Sequence, residues 1–262
     1  MNEFTNIINK FVNKMGYLNN KDLEGIIFYG SSQTGFSNDF SDIDLHIIFN
    51  NNIKEEIRGS MLLDNIRIEY FEKSLSSMYK KTINEFKNQG NAVLSMIVYG
   101  NVIYDRNGNI KQLQDYISSL FTLPMPCMEE EKAKEQIAII NNFFDDLTNL
   151  IETNDLYAYH VFHLTLERIK DFYFSYYGLP GVARTKALKV MLNDDYRNAI
   201  KKENPSNEFI QQYLYLLDES IPLQKRFESL KDFFDYCTKD INFDKYNHRI
   251  ILSKKKIHQS NL

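Results

Sequence analysis

Two aspartates separated by one isoleucine, Asp42 and Asp44, follow a polar loop that opens on a glycine–serine pair, Gly30 and Ser31. The stretch reads GSSQTGFSNDFSDID, and apolar runs bracket it on both sides. On an extended strand, residues two apart share a face, so both carboxylates project together while Ile43 and Leu45 face the core. Two carboxylates this close repel each other unless a positive charge lies between them. A hard divalent cation meets that need, and magnesium prefers carboxylate and phosphate oxygens. A chain that ends a strand at Gly30 and turns at Ser31 leaves backbone N–H groups and a hydroxyl facing outward, which suits a phosphate. Glu69, on another alternating segment, offers a third carboxylate. A phosphate cradle beside an acidic metal site is the equipment of nucleotide-dependent phosphoryl chemistry. Each feature alone is weak, because Asp-x-Asp is common on exposed strand ends. Their order and spacing together carry the reading.

The elements that must position these groups are readable as well. EGIIFYG (24–30) is a short apolar run ending at glycine, which predicts a buried strand. DIDLHIIF (42–49) predicts a second strand. NIRIEYFE (65–72) predicts a third, with Arg67, Glu69 and Phe71 on one face and Ile66, Ile68 and Tyr70 on the other. Helices are expected over 4–16, 73–88, 91–98 and 110–120, with a short strand NVIYD at 101–105. Eight of the ten glycines precede residue 124, and none follows Gly181. That shift implies a turn-rich α/β first half and a helical second half. The second half has apolar residues at helical spacing, as in Ile137, Ile140, Phe144, Leu147 and Ile151. Further helices are expected over 155–176, 182–193, 206–218 and 221–238, joined by short loops as in a bundle. LPMPCMEEEK (123–132) holds two of the five prolines and then an acidic helix start. It sets the domain boundary, giving a catalytic domain at 1–124 and a helical bundle at 125–262.

Composition bounds the function. The 262 residues are 43% hydrophobic and 25% charged, ordinary for a globular chain with a real core. No apolar run approaches the roughly 20 residues needed to span a bilayer, and the first residues read as an amphipathic helix rather than a signal peptide. No membrane partner is therefore expected. The net charge of -4 argues against sequence-independent nucleic-acid binding. Only two cysteines occur, Cys127 and Cys237, so the default setting is a reducing cytoplasm.

Gly30–Ser31, the ten-residue gap and Ser41-Asp42-Ile43-Asp44 resemble the signature of the DNA polymerase β-like nucleotidyltransferase superfamily. Ile68-Glu69-Tyr70 resembles its third acidic strand, and NVIYD with the turn and helix after it resembles the segment that closes the catalytic domain. In size and layout the chain is similar to the antibiotic, kanamycin-type branch. The resemblance implies a mixed-sheet polymerase β-like domain followed by an all-α helical bundle. It implies transfer of a nucleoside monophosphate, AMP as the expected case, from a nucleoside triphosphate to an acceptor hydroxyl, with release of pyrophosphate. Asp42, Asp44 and Glu69 would bind Mg2+. Gly30, Ser31 and Ser41 would hold the triphosphate, with ATP the expected co-substrate. Asp145 in NNFFDDLTNL stands where kanamycin-type enzymes carry a general base, although acidic pairs on helices are usually a solvated face. Lys186, after the turn at Gly178–Gly181, stands where relatives supply a lysine to the triphosphate. One departure matters: relatives often carry an arginine where this loop reads Ser32-Gln33-Thr34.

The acceptor is expected to be a small molecule, with aminoglycoside-like and lincosamide-like antibiotics as candidates. Acids at Asp145, Asp146, Glu152, Asp155, Glu167 and Asp171 would suit a cationic acceptor. A protein-directed adenylyltransferase of a toxin–antitoxin-like system is the alternative, and a non-catalytic nucleotide-binding protein a third. A homodimer is a candidate assembly. His160 and His163 share a helix face but lack a third ligand at matching spacing, and the aromatic run DFYFSYYG (171–178) reads as core.

Overall fold

The computed structural model describes residues 3–29, 42–53, 55–90, 92–179, 181, 186–199 and 204–245. The chain divides into two compact units. One is Met1–Pro126 with Pro180–Glu203, and the other is Cys127–Leu179 with Asn204–Leu262. Where the sequence suggested a single boundary at 124/125, the segment carrying Lys186 groups with the first unit.

In the first unit, α1 (Glu3–Lys14) precedes β1 (Leu23–Tyr29), β2 (Ile43–Phe49), β3 (Ile57–Leu63) and β4 (Ile66–Ser74). Then come α2 (Leu75–Lys87), α3 (Ala92–Tyr99), β5 (Asn101–Asp105) and α4 (Asn109–Leu120). The sheet order is β3-β4-β2-β1-β5. β2 and β4 run parallel, and the other three pairs are antiparallel. One face of the sheet is covered by α1, whose Ile7, Ile8, Phe11 and Val12 join Ile26, Phe28, Ile43, Leu45, Ile47 and Ile68. The other face packs Ile27 and Ile48 against Met78, Leu94, Ile97, Ile110, Leu113 and Ile117 of α2, α3 and α4. Because β1 and β2 are covered on both sides, their sequences read as near-continuous apolar runs. Ile26, Ile27, Ile47 and Ile48 are fully buried, each contributing about 1.5–3 kcal/mol of burial.

β3 is the element the sequence did not announce. It is an edge strand with an alternating, largely exposed pattern, joined to β4 by a tight turn in which Asp64 and Asn65 both have positive φ, 49° and 63°. Such a pair is the backbone of a type I′ hairpin. Gly59 lies under the Tyr70 ring, where any Cβ would collide. A glycine there and an exposed Leu62 weaken the apolar signal of the strand.

In the second unit, α5 (Glu130–Glu152) packs on α6 (Ala158–Tyr176). The chain returns to the first unit for α7 (Ala187–Leu192) and α8 (Asp194–Ala199), and the second unit then adds α9 (Asn207–Leu217) and α10 (Leu223–Thr238). The helix expected over 182–193 is therefore described only from Ala187, and the path breaks at Asn193. Ser206 caps α9, accepting from the Phe209 N–H at 3.1 Å. Phe209 centres the bundle, with ring centroids 4.2 Å from Tyr173 and 5.0 Å from Phe233. Phe172, Tyr173 and Phe174 of the aromatic run are buried. Among the described residues, no helix is long and apolar enough to cross a membrane.

Candidate active site

The parallel pairing of β2 with β4 sets Asp44 directly opposite Glu69. Asp42 stands two residues earlier, at the mouth of β2 and on the same face. One oxygen from each of the three carboxylates lies within 4.8 Å of the others, and among the described residues this is the one group with metal-ligand geometry. Glu69 is largely buried, its side chain 14% exposed, and Asp42 is more open at 36%. Burial, followed by the negative charges of Asp42 and Glu69, pushes the Asp44 carboxyl up to about 6. Lys186 and Arg67 act on Asp44 in the opposite sense.

Two arginines serve the cluster. Arg67 Nη2 donates to Asp42 Oδ2 at 3.3 Å and also to Glu69 Oε1. Arg58 Nη2 donates to Glu69 Oε2 at 3.1 Å. The Arg58 guanidinium also lies over the Phe71 ring, 5.2 Å from its centroid. Phe71 in turn stacks on His46, which sits one step deeper than Asp44 on the same face of β2. His46 is buried, and neither ring nitrogen has a hydrogen-bond partner. Burial first, then the charges of Lys81 and Lys73, pull its pKa down to about 4.

The donor set fits a hard divalent cation. It consists of carboxylate oxygens only, drawn together at a place where like charges already oppose one another. The described residues thus bring together Asp42, Asp44 and Glu69, and they place the Lys186 charge where it acts on Asp44. Lys186 itself is exposed and stands just before α7. Asp145 lies on α5 in the second unit, 62% exposed, where its Oδ1 accepts from Lys245 Nζ at 2.7 Å. Gly30, Ser31 and Ser41 lie outside the described residues. Of the acids that suggested a cationic acceptor, Glu167 is held by Lys170 and by the Tyr213 hydroxyl, each at 2.5 Å. Sequence reasoning passed over both arginines. Arg67 had a signal, since it stands two before Glu69 on an alternating strand and must share its face. Arg58 had none, because β3 was not recognised.

A mixed α/β sheet that gathers three carboxylates at two adjacent strands, with cations at its rim, is an architecture for nucleotide transfer. The nucleotidyltransferase domain family matches residues 8–145, more than half of the chain, and the chain belongs to that family. Membership implies a nucleoside triphosphate substrate and transfer of a nucleotide. The chain is also similar to a nucleotidyltransferase-like protein from Exiguobacterium sibiricum, at 15% identity, over 90% of this chain and 75% of that one, with a TM-score of 0.49. No curated protein matches it significantly.

Proposed function

We propose that the protein is a magnesium-dependent enzyme that moves a nucleoside monophosphate, AMP from ATP, onto a hydroxyl of a small molecule. The observation that carries this reading is the in-register placement of Asp44 opposite Glu69, with Asp42 beside them. In the reaction the acceptor oxygen attacks the α-phosphorus, the bond from that phosphorus to the bridging oxygen breaks, and pyrophosphate leaves. Asp42, Asp44 and Glu69 would hold the cation, which neutralises phosphate charge when bound. Lys186 would bind the triphosphate, as would Gly30, Ser31 and Ser41. Asp145 would take the proton of the acceptor hydroxyl. The rest of the catalysis is positioning and fixed electrostatics. Antibiotics of the aminoglycoside and lincosamide kinds are the first acceptors to try, on the strength of the sequence resemblance, and a homodimer belongs to the same proposal.

The test is an acceptor screen with Mg2+ and each of the four triphosphates, read by pyrophosphate release and by mass. A gain of one nucleoside monophosphate on a small molecule is the expected result. Label appearing on protein instead transfers the case to a protein-directed adenylyltransferase. Nucleotide binding without transfer to either would leave a non-catalytic binding protein.

A further inference from the structure

We propose that Arg67 is the resident counter-cation of the carboxylate cluster: its guanidinium ties Asp42 to Glu69 in the metal-free protein and gives way when a divalent cation binds. The proposal rests on the metal-binding role assigned above to Asp42, Asp44 and Glu69. A single nitrogen, Nη2, contacts Oδ2 of Asp42 and Oε1 of Glu69. Those carboxylates come from different parts of the sheet, one preceding β2 and the other on β4, so Arg67 cross-links the two sides of the site. Arg58 does not share this position. Of the three carboxylates it pairs with Glu69, through Oε2, and its side chain is 71% exposed.

A guanidinium suits the task because it stays charged at every working pH and offers several donors in one plane. It is a poor co-tenant for a divalent ion, since two positive centres bound to the same pair of oxygens repel strongly at close range. The Arg67 side chain is 57% exposed, so it has room to swing into water without leaving a cavity. Asp42 and Glu69 are thereby kept together without metal, on either side of Asp44, and metal entry is a replacement of one cation by another. Arg67 is a positioning residue in this scheme. It sets how tightly the cluster takes its metal and touches no reacting atom.

The consequence runs against ordinary expectation for a residue at an active site: its removal should strengthen metal binding. Mn2+ is the probe, titrated into the full chain without nucleotide and followed by the electron paramagnetic resonance signal of the free ion. R67Q should bind Mn2+ on the order of tenfold more tightly than the wild type, and R58Q should shift affinity by less than about threefold. R67K keeps the charge but loses the fork, and should fall between wild type and R67Q. A folded R67Q with unchanged or weaker Mn2+ affinity overturns the proposal, and so does an equal shift in R67Q and R58Q, which would mark a general charge effect. If R67Q fails to fold, R67K decides: tighter binding than wild type supports the proposal, equal or weaker binding overturns it. Wild-type binding that is lost in D44N, together with no change in the Arg67 variants, overturns this proposal alone. Absence of Mn2+ binding in wild type and variants alike overturns it along with the metal-dependent reading.

Discussion

Asp44 and Glu69 face each other across the parallel pairing of β2 and β4, in the same rung of the ladder. A slip of one residue would bring Ile68 to the site and turn Glu69 toward the α1 side, because side chains alternate along a strand. The hydrophobic register of the sheet therefore fixes the acidic cluster. Ile43, Leu45 and Ile68 are fully buried on the α1 side, and their burial holds Asp44 and Glu69 on the other.

This arrangement places a destabilising charge where it is useful, and the two carboxylates should respond differently to neutralisation. Asp44→Asn and Glu69→Gln are both expected to lower transfer by at least about a thousandfold, since several kcal/mol of charge stabilisation is lost. Melting in chelator should separate them. Asp44→Asn removes a half-buried charge beside two others and should raise stability on the order of 1 kcal/mol after allowance for solvent screening. Glu69→Gln gives up its charged pairs with Arg67 and Arg58 and should not raise it. A metal-free Asp44→Asn protein that melts below wild type would contradict the electrostatic account.

Opposed titrations are expected in mildly acid solution. The Asp44 carboxyl rises from 3.8 to about 6 on folding, so the folded protein holds the proton more tightly, and stability falls as pH rises from about 4 to about 6. His46 goes from 6.5 to about 4, so its contribution is lost as pH falls through that range. The two slopes partly cancel in the wild type. In Asp44→Asn the His46 slope loses its counterweight, and stability should rise more steeply from pH 4 to 6.5 than in the wild type. In His46→Phe the Asp44 slope remains without the opposing His46 one, so the pH dependence should shift towards a fall in stability relative to the wild type. Urea unfolding in chelator at several pH values measures both.

Much of this site was legible because the relevant patterns are local. Asp-x-Asp on an apolar strand fixes a shared face, and an alternating segment with Glu69 fixes another. What was not legible depends on partners distant in sequence. Nothing within residues 57–63 says that this chain pairs with β4, since an exposed edge strand needs little apolar content and Gly59 yields its space to Tyr70. The register that brings Asp44 to Glu69 is likewise a property of the whole sheet. The grouping of 180–203 with the first unit follows from tertiary contact, as in the Gly181 N–H donating to the Gln89 carbonyl at 3.0 Å, and helical periodicity carries no record of it.

Lys186 offers a cleaner functional probe than the acids. It is exposed, so truncation should leave the fold intact. Lys186→Ala is expected to raise the triphosphate KM by on the order of tenfold, and Lys186→Arg should recover part of that loss. A KM that does not move would remove Lys186 from the triphosphate site.

The proposed base can be tested in the same way. Asp145 is exposed and pairs with Lys245, so Asp145→Asn should change stability by less than about 1 kcal/mol. If Asp145 accepts the hydroxyl proton, kcat should nevertheless fall by about 10²–10⁴. Lys245→Ala breaks the same ion pair without removing the carboxylate and should keep most of the activity. Equal loss in both variants would point to local structure, and no loss in Asp145→Asn would exclude it as the base.

The helical unit carries its own anomaly in Arg226, which is 1% exposed on α10. Its Nη1 reaches the Leu216 carbonyl at 3.4 Å, its guanidinium lies over the rings of Phe162 at 5.1 Å and Tyr159 at 5.9 Å, and its Nε has no partner. The carbonyl belongs to the last turn of α9, where the helix dipole favours a cation. A buried charge with one long hydrogen bond, one unsatisfied donor and an exposed acidic neighbour in Asp218 gains little over an apolar side chain of similar length. The stem, by contrast, fills space between helices. Arg226→Met is therefore expected to lie within about 1 kcal/mol of wild type in urea unfolding, and Arg226→Ala to lose about 3 kcal/mol through the cavity it leaves. Similar losses in both variants would instead assign the stabilisation to the guanidinium and its aromatic faces.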